Sequence, residues 1–272
     1  MKRVLVFDSG VGGLSVLDAI VAAGIEVELD YVADNAWLPY GLKSDAEIAA
    51  RVPVLLTQMA AQWAPDLVVL ACNTASTIAL EATRAALKQP VVGVVPPIKP
   101  AAALSQTGVI GLLATPATIK RAYTNDLIAN FAAGKTVVRY GSADLVAAAE
   151  AKLRGETPPA AAIQAAVDGL FGAPGGAAID VVALACTHFP LLADELAAAA
   201  PRACAWLDSG AAIARRVSAL LLLPAGAGAA RVRHAGFTDA QNARPLDHAF
   251  RARGFSALMR IGEAPHFEAA SL

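Results

Sequence analysis

Net charge, aromatic residues, cysteines and long apolar runs are all scarce in this chain of 272 residues. A formal net charge of −1 gives no electrostatic reason to bind nucleic acid or an anionic membrane, so neither is expected as a partner. The most apolar later segment, 217–230, follows Arg215 and Arg216 and is interrupted by Pro224, Gly226 and Gly228. It falls short of the roughly 18 unbroken residues a membrane span needs. The opening MKRVLVFDSG starts basic, but its apolar stretch before Asp8 is too short for a secretory signal and reads as a first strand. A cytoplasmic location is the expectation.

Only Cys72, Cys186 and Cys204 carry thiols. An odd count without secretory context argues against a disulfide framework, so any thiol chemistry is that of a reduced thiol. No Cys/His spacing resembles a zinc site and no His/Glu cluster suggests a catalytic metal. Cys204 reads as a small buried hydrophobe. His234, His248 and His266 show no sequence partners and read as surface or packing residues. No lysine context resembles a pyridoxal site.

What the chain does have is alternation. Short apolar runs at 4–7, 27–33, 67–71, 91–95, 109–113, 136–140, 179–183, 203–207, 231–235 and 257–261 read as strands. Segments of helical period lie between them, at 14–23, 44–63, 77–88, 97–105, 117–132, 143–153, 158–171, 191–199, 211–222 and 243–253. Ser44 and Glu47 have the spacing of a capping box. Continuous apolar runs between helices predict an α/β protein with mainly parallel sheets, buried on both faces. VLVFDSGVGGLSV and GVIGLLATPATI share a layout of strand, polar turn and helix start, and each precedes a strand ending in cysteine. Two pseudo-symmetric, doubly wound domains are therefore expected, 1–96 plus 205–272 and 97–204, with the site in the cleft between them.

Ligands of parallel sheets sit beyond the carboxyl ends of the strands. That rule selects Asp8-Ser9, Asp34, Cys72-Asn73-Thr74, Thr115 and Cys186-Thr187-His188. A single buried cysteine is more often inert than reactive. Two at matching strand ends, each followed by small polar residues and a helix start, point to a reactive pair. The positive helix end is expected to lower the thiol pKa. Asp8-Ser9-Gly10-Val11-Gly12-Gly13 is a turn whose amides can hold an anion. It lacks the third glycine of a dinucleotide fingerprint, which weakens a competing nucleotide-binding role. Pro39-Tyr40-Gly41 is either a plain turn or a source of a phenol and amides for a ligand.

FDSGVGGLSVL, YVADNAWLPYG, LACNTAST, VVGVVPPIKPA and LACTHFPLL, in that order, resemble the cofactor-independent glutamate racemases of the Asp/Glu racemase superfamily. The resemblance implies interconversion of L- and D-glutamate without a cofactor, supplying D-glutamate for peptidoglycan. It leaves homodimer formation open. It implies that Cys72 and Cys186 transfer protons, acting on the D- and L-enantiomer respectively. Asp8 would assist Cys72, His188 would assist Cys186, and Asp34 and Glu150 would support them. Asp8, Ser9, Tyr40, Gly41, Asn73, Thr74, Thr115, Thr187 and His188 would bind substrate. Gly141-Ser142, Phe189 and Trp37 depart from the Cys-Pro, tyrosine and arginine frequent in relatives. Decarboxylases and isomerases of the same fold are the competing class, but the presence of both cysteines favours racemisation.

Overall fold

A computed structural model of the chain describes residues 1–262; His266 lies outside them. Among the described residues there are ten strands: β1 (Lys2–Asp8), β2 (Val27–Ala33), β3 (Leu67–Leu70), β4 (Val91–Gly93), β5 (Val109–Ala114), β6 (Thr136–Gly141), β7 (Val181–Leu184), β8 (Ala205–Leu207), β9 (Arg231–Phe237) and β10 (Leu258–Arg260). The helices are α1 (Leu14–Ala22), α2 (Asp45–Trp63), α3 (Asn73–Ala86), α4 (Ile98–Leu104), α5 (Pro116–Lys120), α6 (Ala122–Phe131), α7 (Asp144–Leu153), α8 (Ala160–Phe171), α9 (Ala193–Ala199), α10 (Gly210–Leu221), α11 (Ala240–Ala243) and α12 (Asp247–Arg251). Each expected strand run overlaps one of the observed strands.

Two sheets form, ordered β10-β9-β2-β1-β3-β4 and β6-β5-β7-β8. Every strand pairing among the described residues is parallel. The order β2-β1-β3-β4 in the first sheet is matched by β6-β5-β7-β8 in the second, so β3 and β7, the strands that precede the two cysteines, hold equivalent places. Alternation along β1 divides its side chains between two cores. Val4 and Val6 pack with α1 and α10, while Leu5 and Phe7 pack with α2 and α3. On the second sheet, Val182 and Leu184 face the core with α7 and α8, and Val181 and Ala183 face α4. Full burial of each such side chain stabilises the fold by about 1.5–3 kcal/mol.

Four expectations shift. The return to the first half does not begin at Ala205, because Ala205–Leu207 pairs with β7 as an edge strand of the second sheet. The chain crosses back only before α10, which packs on α1. Helix α3 starts at Asn73 rather than residue 77, because the Cys72 carbonyl already accepts the Ser76 N–H at 2.8 Å. The 117–132 segment is two helices, broken where Arg121 is extended (φ −68°, ψ 140°). The 243–253 segment begins at Ala240, capped by Asp239, and tightens to a 3₁₀ turn around Pro245. The Ser44–Glu47 capping box forms as the spacing predicts.

At the end of the sheets away from the cleft, Asp180 fastens the connection from α4 into β5. Its carboxylate accepts from the Ser105 hydroxyl (2.7 Å) and from the Gln106 and Thr107 amides (2.6 and 2.9 Å). Burial acts to raise its pKa, but these donors outweigh it and hold the group down at about 2. A depressed carboxylate pKa contributes stability above the unfolded value of 3.8, and that contribution is lost as pH falls through about 2. Asp180→Ala is expected to cost about 1–2 kcal/mol at pH 7. Thermal melts should show the gap from wild type closing between pH 4 and pH 2, with the unfolded and folded pKa values of Asp180 as its limits.

Candidate active site

The carboxyl ends of the two sheets meet across one cavity. Ser9, Tyr40, Gly41, Cys72, Asn73 and Thr74 line it from the first half, and Thr115, Cys186, Thr187 and His188 from the second. Leu38, Pro39, Thr118, Val146 and Ala185 complete the wall. The cavity measures about 30 Å³ and opens toward a larger one of about 440 Å³, with which it shares Leu38, Pro39, Gly41, Thr115 and Val146. Asp8 stands behind the wall, fully buried.

Each sulfur sits at the rim of an apolar cluster and is almost fully buried, yet both line the same space. Their polar neighbours differ. Cys72 Sγ lies 3.8 Å from Ser9 Oγ, which is 3.5 Å from Asp8 Oδ1. Cys186 Sγ lies 3.9 Å from His188 Nδ1, whose other nitrogen meets Glu150 Oε1 at 2.9 Å. The expectation that a helix start lowers the thiol pKa fails for Cys72. Burial, reinforced by the Asp8 carboxylate, pushes that thiol far up, and the Ala75 amide and Ser9 hydroxyl offset only part of this. A neutral thiol is its stable form here.

Burial opposes the charged form of His188. Contacts with Cys186 and Glu150, together with the charges of Cys186 and Asp8, overcome it and raise the imidazole well above its ordinary range. Burial likewise acts to raise Glu150, but the His188 hydrogen bond and charge, the Val11 amide and the Arg154 charge together outweigh it and the carboxyl is lowered. The pair is therefore an imidazolium against a carboxylate. Asp8 is raised by burial despite the facing His188 charge and two amide donors.

The glycine turn is not an open anion site. Its Ser9 and Gly13 amides donate to Asp8 at 2.7 and 2.6 Å, and its Val11 amide donates to Glu150 at 2.9 Å. The turn thus grips two of the protein's own carboxylates, one from each half. Its glycines are required by closeness. A Cβ on Gly10 would lie 2.3 Å from Glu150 Oε1, and one on Gly12 would lie 2.4 Å from His188 Nδ1. Ser15 Oγ adds a bond across the cleft to the Thr187 carbonyl at 2.8 Å.

Asp34 does not reach the cavity. It accepts the Tyr40 phenol (2.6 Å), the Thr238 hydroxyl (2.9 Å) and two guanidinium bonds from Arg51 (2.6 and 2.7 Å). Arg51 was not legible as a site residue, because an arginine in an amphipathic helix reads as solvent-facing. Thr115 caps α5. Gly141 leaves room for Pro116, whose Cα would lie 2.9 Å from any Cβ there. Phe189 is fully buried in the core of the second half. Arg121 pairs through both terminal nitrogens with Asp45 at 3.0 Å, joining the two halves outside the cavity.

His234 and His248 do have partners: His234 Nδ1 meets the buried Asp30 at 2.8 Å, and His248 Nδ1 meets the Pro245 carbonyl at 3.1 Å. Cys204 is half-buried against the core of the second half. Among the described residues no His/Cys/Asp/Glu cluster could hold a metal, and no helix is long and apolar enough to cross a membrane.

A family model for Asp/Glu/Hydantoin racemase matches residues 11–217. A glutamate racemase of Sphingopyxis alaskensis is 56% identical over 217 residues, covering 80% of this chain and 81% of that protein. One from Pectobacterium carotovorum is 50% identical over 218 residues, covering 80% and 76%. Among solved structures, Escherichia coli glutamate racemase in complex with L-glutamate and the activator UDP-MurNAc-ala superposes with a TM-score of 0.87. It is 42% identical, covering 96% of this chain and 98% of that one.

Two outcomes follow from the ion pair and the turn. Glu150→Gln should lower the His188 pKa, read from its ring resonances by NMR. It should also cost a buried pair about 3 kcal/mol or more, a Tm fall on the order of 10 °C. The raised imidazole contributes stability below its unfolded pKa of 6.5 that is lost as pH rises through the raised value, while the lowered Glu150 loses its contribution at the acid end. The wild-type advantage over Glu150→Gln should therefore be greatest between those limits. Gly12→Ala forces His188 aside and should reduce turnover more than 100-fold, the scale of a lost acid–base group; near-normal turnover would mean that this contact does not matter.

Proposed function

The chain belongs to the Asp/Glu/hydantoin racemase family, and from that premise we propose that it interconverts L- and D-glutamate with two opposed cysteines and no cofactor. Its product would supply D-glutamate for peptidoglycan in the cytoplasm. The observation that carries this reading is the convergence of Cys72 and Cys186, from equivalent strand ends, on one cavity.

Inversion at a carbon requires a proton to leave one face and another to arrive on the opposite face. From L-glutamate, the Cys186 thiolate takes the α-proton, the C–H electron pair passes into the α-carboxylate as an enediolate-like state, and the Cys72 thiol delivers its proton. From D-glutamate the same steps run in reverse. The raised pKa of Cys72 suits it to hold the proton to be delivered. His188, as imidazolium, stands beside Cys186 and can stabilise charge there. Positioned acid and base groups supply about 10²–10⁴-fold; the remainder falls to fixed dipoles in a water-poor site.

The lining suits a small amino acid. Asn73 Oδ1 is buried with no hydrogen-bond partner, and an acceptor in that condition suits an α-ammonium group. Ser9 brings a hydroxyl, and Thr74 and Thr187 bring hydroxyls and backbone amides, toward the substrate carboxylates, with His188 as the nearby cation. A cavity of about 30 Å³ holds little more than two water molecules. Admission of glutamate therefore requires the Leu38–Leu42 wall and the start of α5 to part, on the side facing the larger cavity.

Cys72→Ser and Cys186→Ser should each lower racemisation by at least about 10²-fold. In D₂O, the Cys72 variant should still exchange the α-proton of L-glutamate alone, and the Cys186 variant that of D-glutamate alone. Wild-type racemisation by either variant would remove the two-thiol assignment.

A further inference from the structure

We infer that Arg51 is a positioning residue of this site, acting through Asp34 on the Tyr40–Gly41 wall; the inference rests on the racemase reading above. Residues 34–44 form the loop between β2 and α2. That loop lines the cavity through Leu38, Pro39, Tyr40 and Gly41, yet its own regular structure is limited to two short 3₁₀ turns, at Asn35–Trp37 and Tyr40–Leu42. Something outside the loop must fix it.

Asp34 is the point of attachment. Its backbone amide bonds to the Asp8 carbonyl at 2.9 Å, extending the β1–β2 ladder. Its carboxylate is fully buried and receives the Tyr40 phenol and the Thr238 hydroxyl. Two hydroxyl donors leave a buried anion short of compensation. Arg51 supplies the missing charge through a two-bond fork, and it is itself only 4% exposed. With Arg51 in place Asp34 accepts from Tyr40, and the ring stands as the cavity wall. Without it, the buried carboxylate lacks its counter-charge and the fork that orients its Oδ2 toward the phenol.

The loop closes over the arginine from the other side. The Trp37 ring stacks 4.4 Å from the Arg51 guanidinium carbon, and Lys43 Nζ stands 5.2 Å from the same ring. Trp37 therefore covers Arg51, and one side chain of α2 braces both ends of the 34–40 segment. An arginine at position 37 would set two cations face to face here, so the tryptophan fits this brace. Helix α2 also carries the packing face for α3, whose start bears Cys72, Asn73 and Thr74. Wall and thiol are thereby referred to the same helix.

The test compares Arg51→Lys, Arg51→Met and Asp34→Asn/Arg51→Met with wild type, using steady-state racemisation and hydrogen exchange of the 35–43 segment. Arg51→Met should raise KM for both enantiomers about 10-fold or more, with kcat per folded molecule changing less than 3-fold. Arg51→Lys keeps the charge but not the fork and should show a smaller KM rise. The double variant removes both charges and should recover at least a third of the lost affinity. Exchange of 35–43 should accelerate in both single variants while α7 stays protected. If Arg51→Met does not fold, the same KM and exchange readings on Arg51→Lys decide. A folded variant with wild-type KM and wild-type loop exchange overturns the inference, as does a loss of activity that only follows the folded fraction. Exchange is independent of turnover. A wild-type protein that racemises no glutamate would defeat the racemase reading, while a loosened loop in the variants would still uphold the brace.

Discussion

One carboxylate holds the two halves in register. Glu150, on α7 of the second half, receives the Val11 amide of the first half and the His188 ring of its own. The histidine stands against Cys186, and the glycine turn that offers Val11 also encloses Asp8 behind Cys72. Moving Glu150 would disturb one thiol's partner directly and the other's through the turn. That explains why the turn tolerates no Cβ at Gly10 or Gly12: space there is taken up by side chains from across the cleft.

The halves repeat their strand order but not their chemistry. Cys72 is reached by a hydroxyl and a carboxylate behind it, and its burial favours the neutral thiol. Cys186 faces an imidazolium held by a carboxylate. Enantiomers of an amino acid with one stereocentre are mirror images of each other, and a protein of L-residues cannot offer them mirror-image surroundings. Equivalent backbone positions with unlike polar neighbours are the physical form that compromise takes.

The strands were legible because runs such as Leu67–Leu70 and Val181–Leu184 are buried on both faces and carry no polar interruption. The polar residues at their carboxyl ends were legible by the parallel-sheet rule, and those selected from both halves do line one cavity, Asp8 and Asp34 lying behind it. What was hidden depends on contacts between distant residues. The Arg51–Asp34 fork spans 17 positions and the His234–Asp30 contact spans 204; neither leaves a periodic trace. The crossover near Ala205 is not legible, because a short edge strand looks the same in sequence whichever sheet accepts it. The thiol of Cys72 departs from the sequence expectation because desolvation, which leaves no local sequence signal, outweighs the helix start.

The matched order of β2-β1-β3-β4 and β6-β5-β7-β8 has a historical corollary. A single half-length chain could have built the same cavity as a twofold homodimer, with one cysteine per copy across the symmetry axis. In such an ancestor any change beside one thiol would have been copied beside the other. Fusing the two copies into one gene would release that restriction and allow each thiol to acquire its own neighbours.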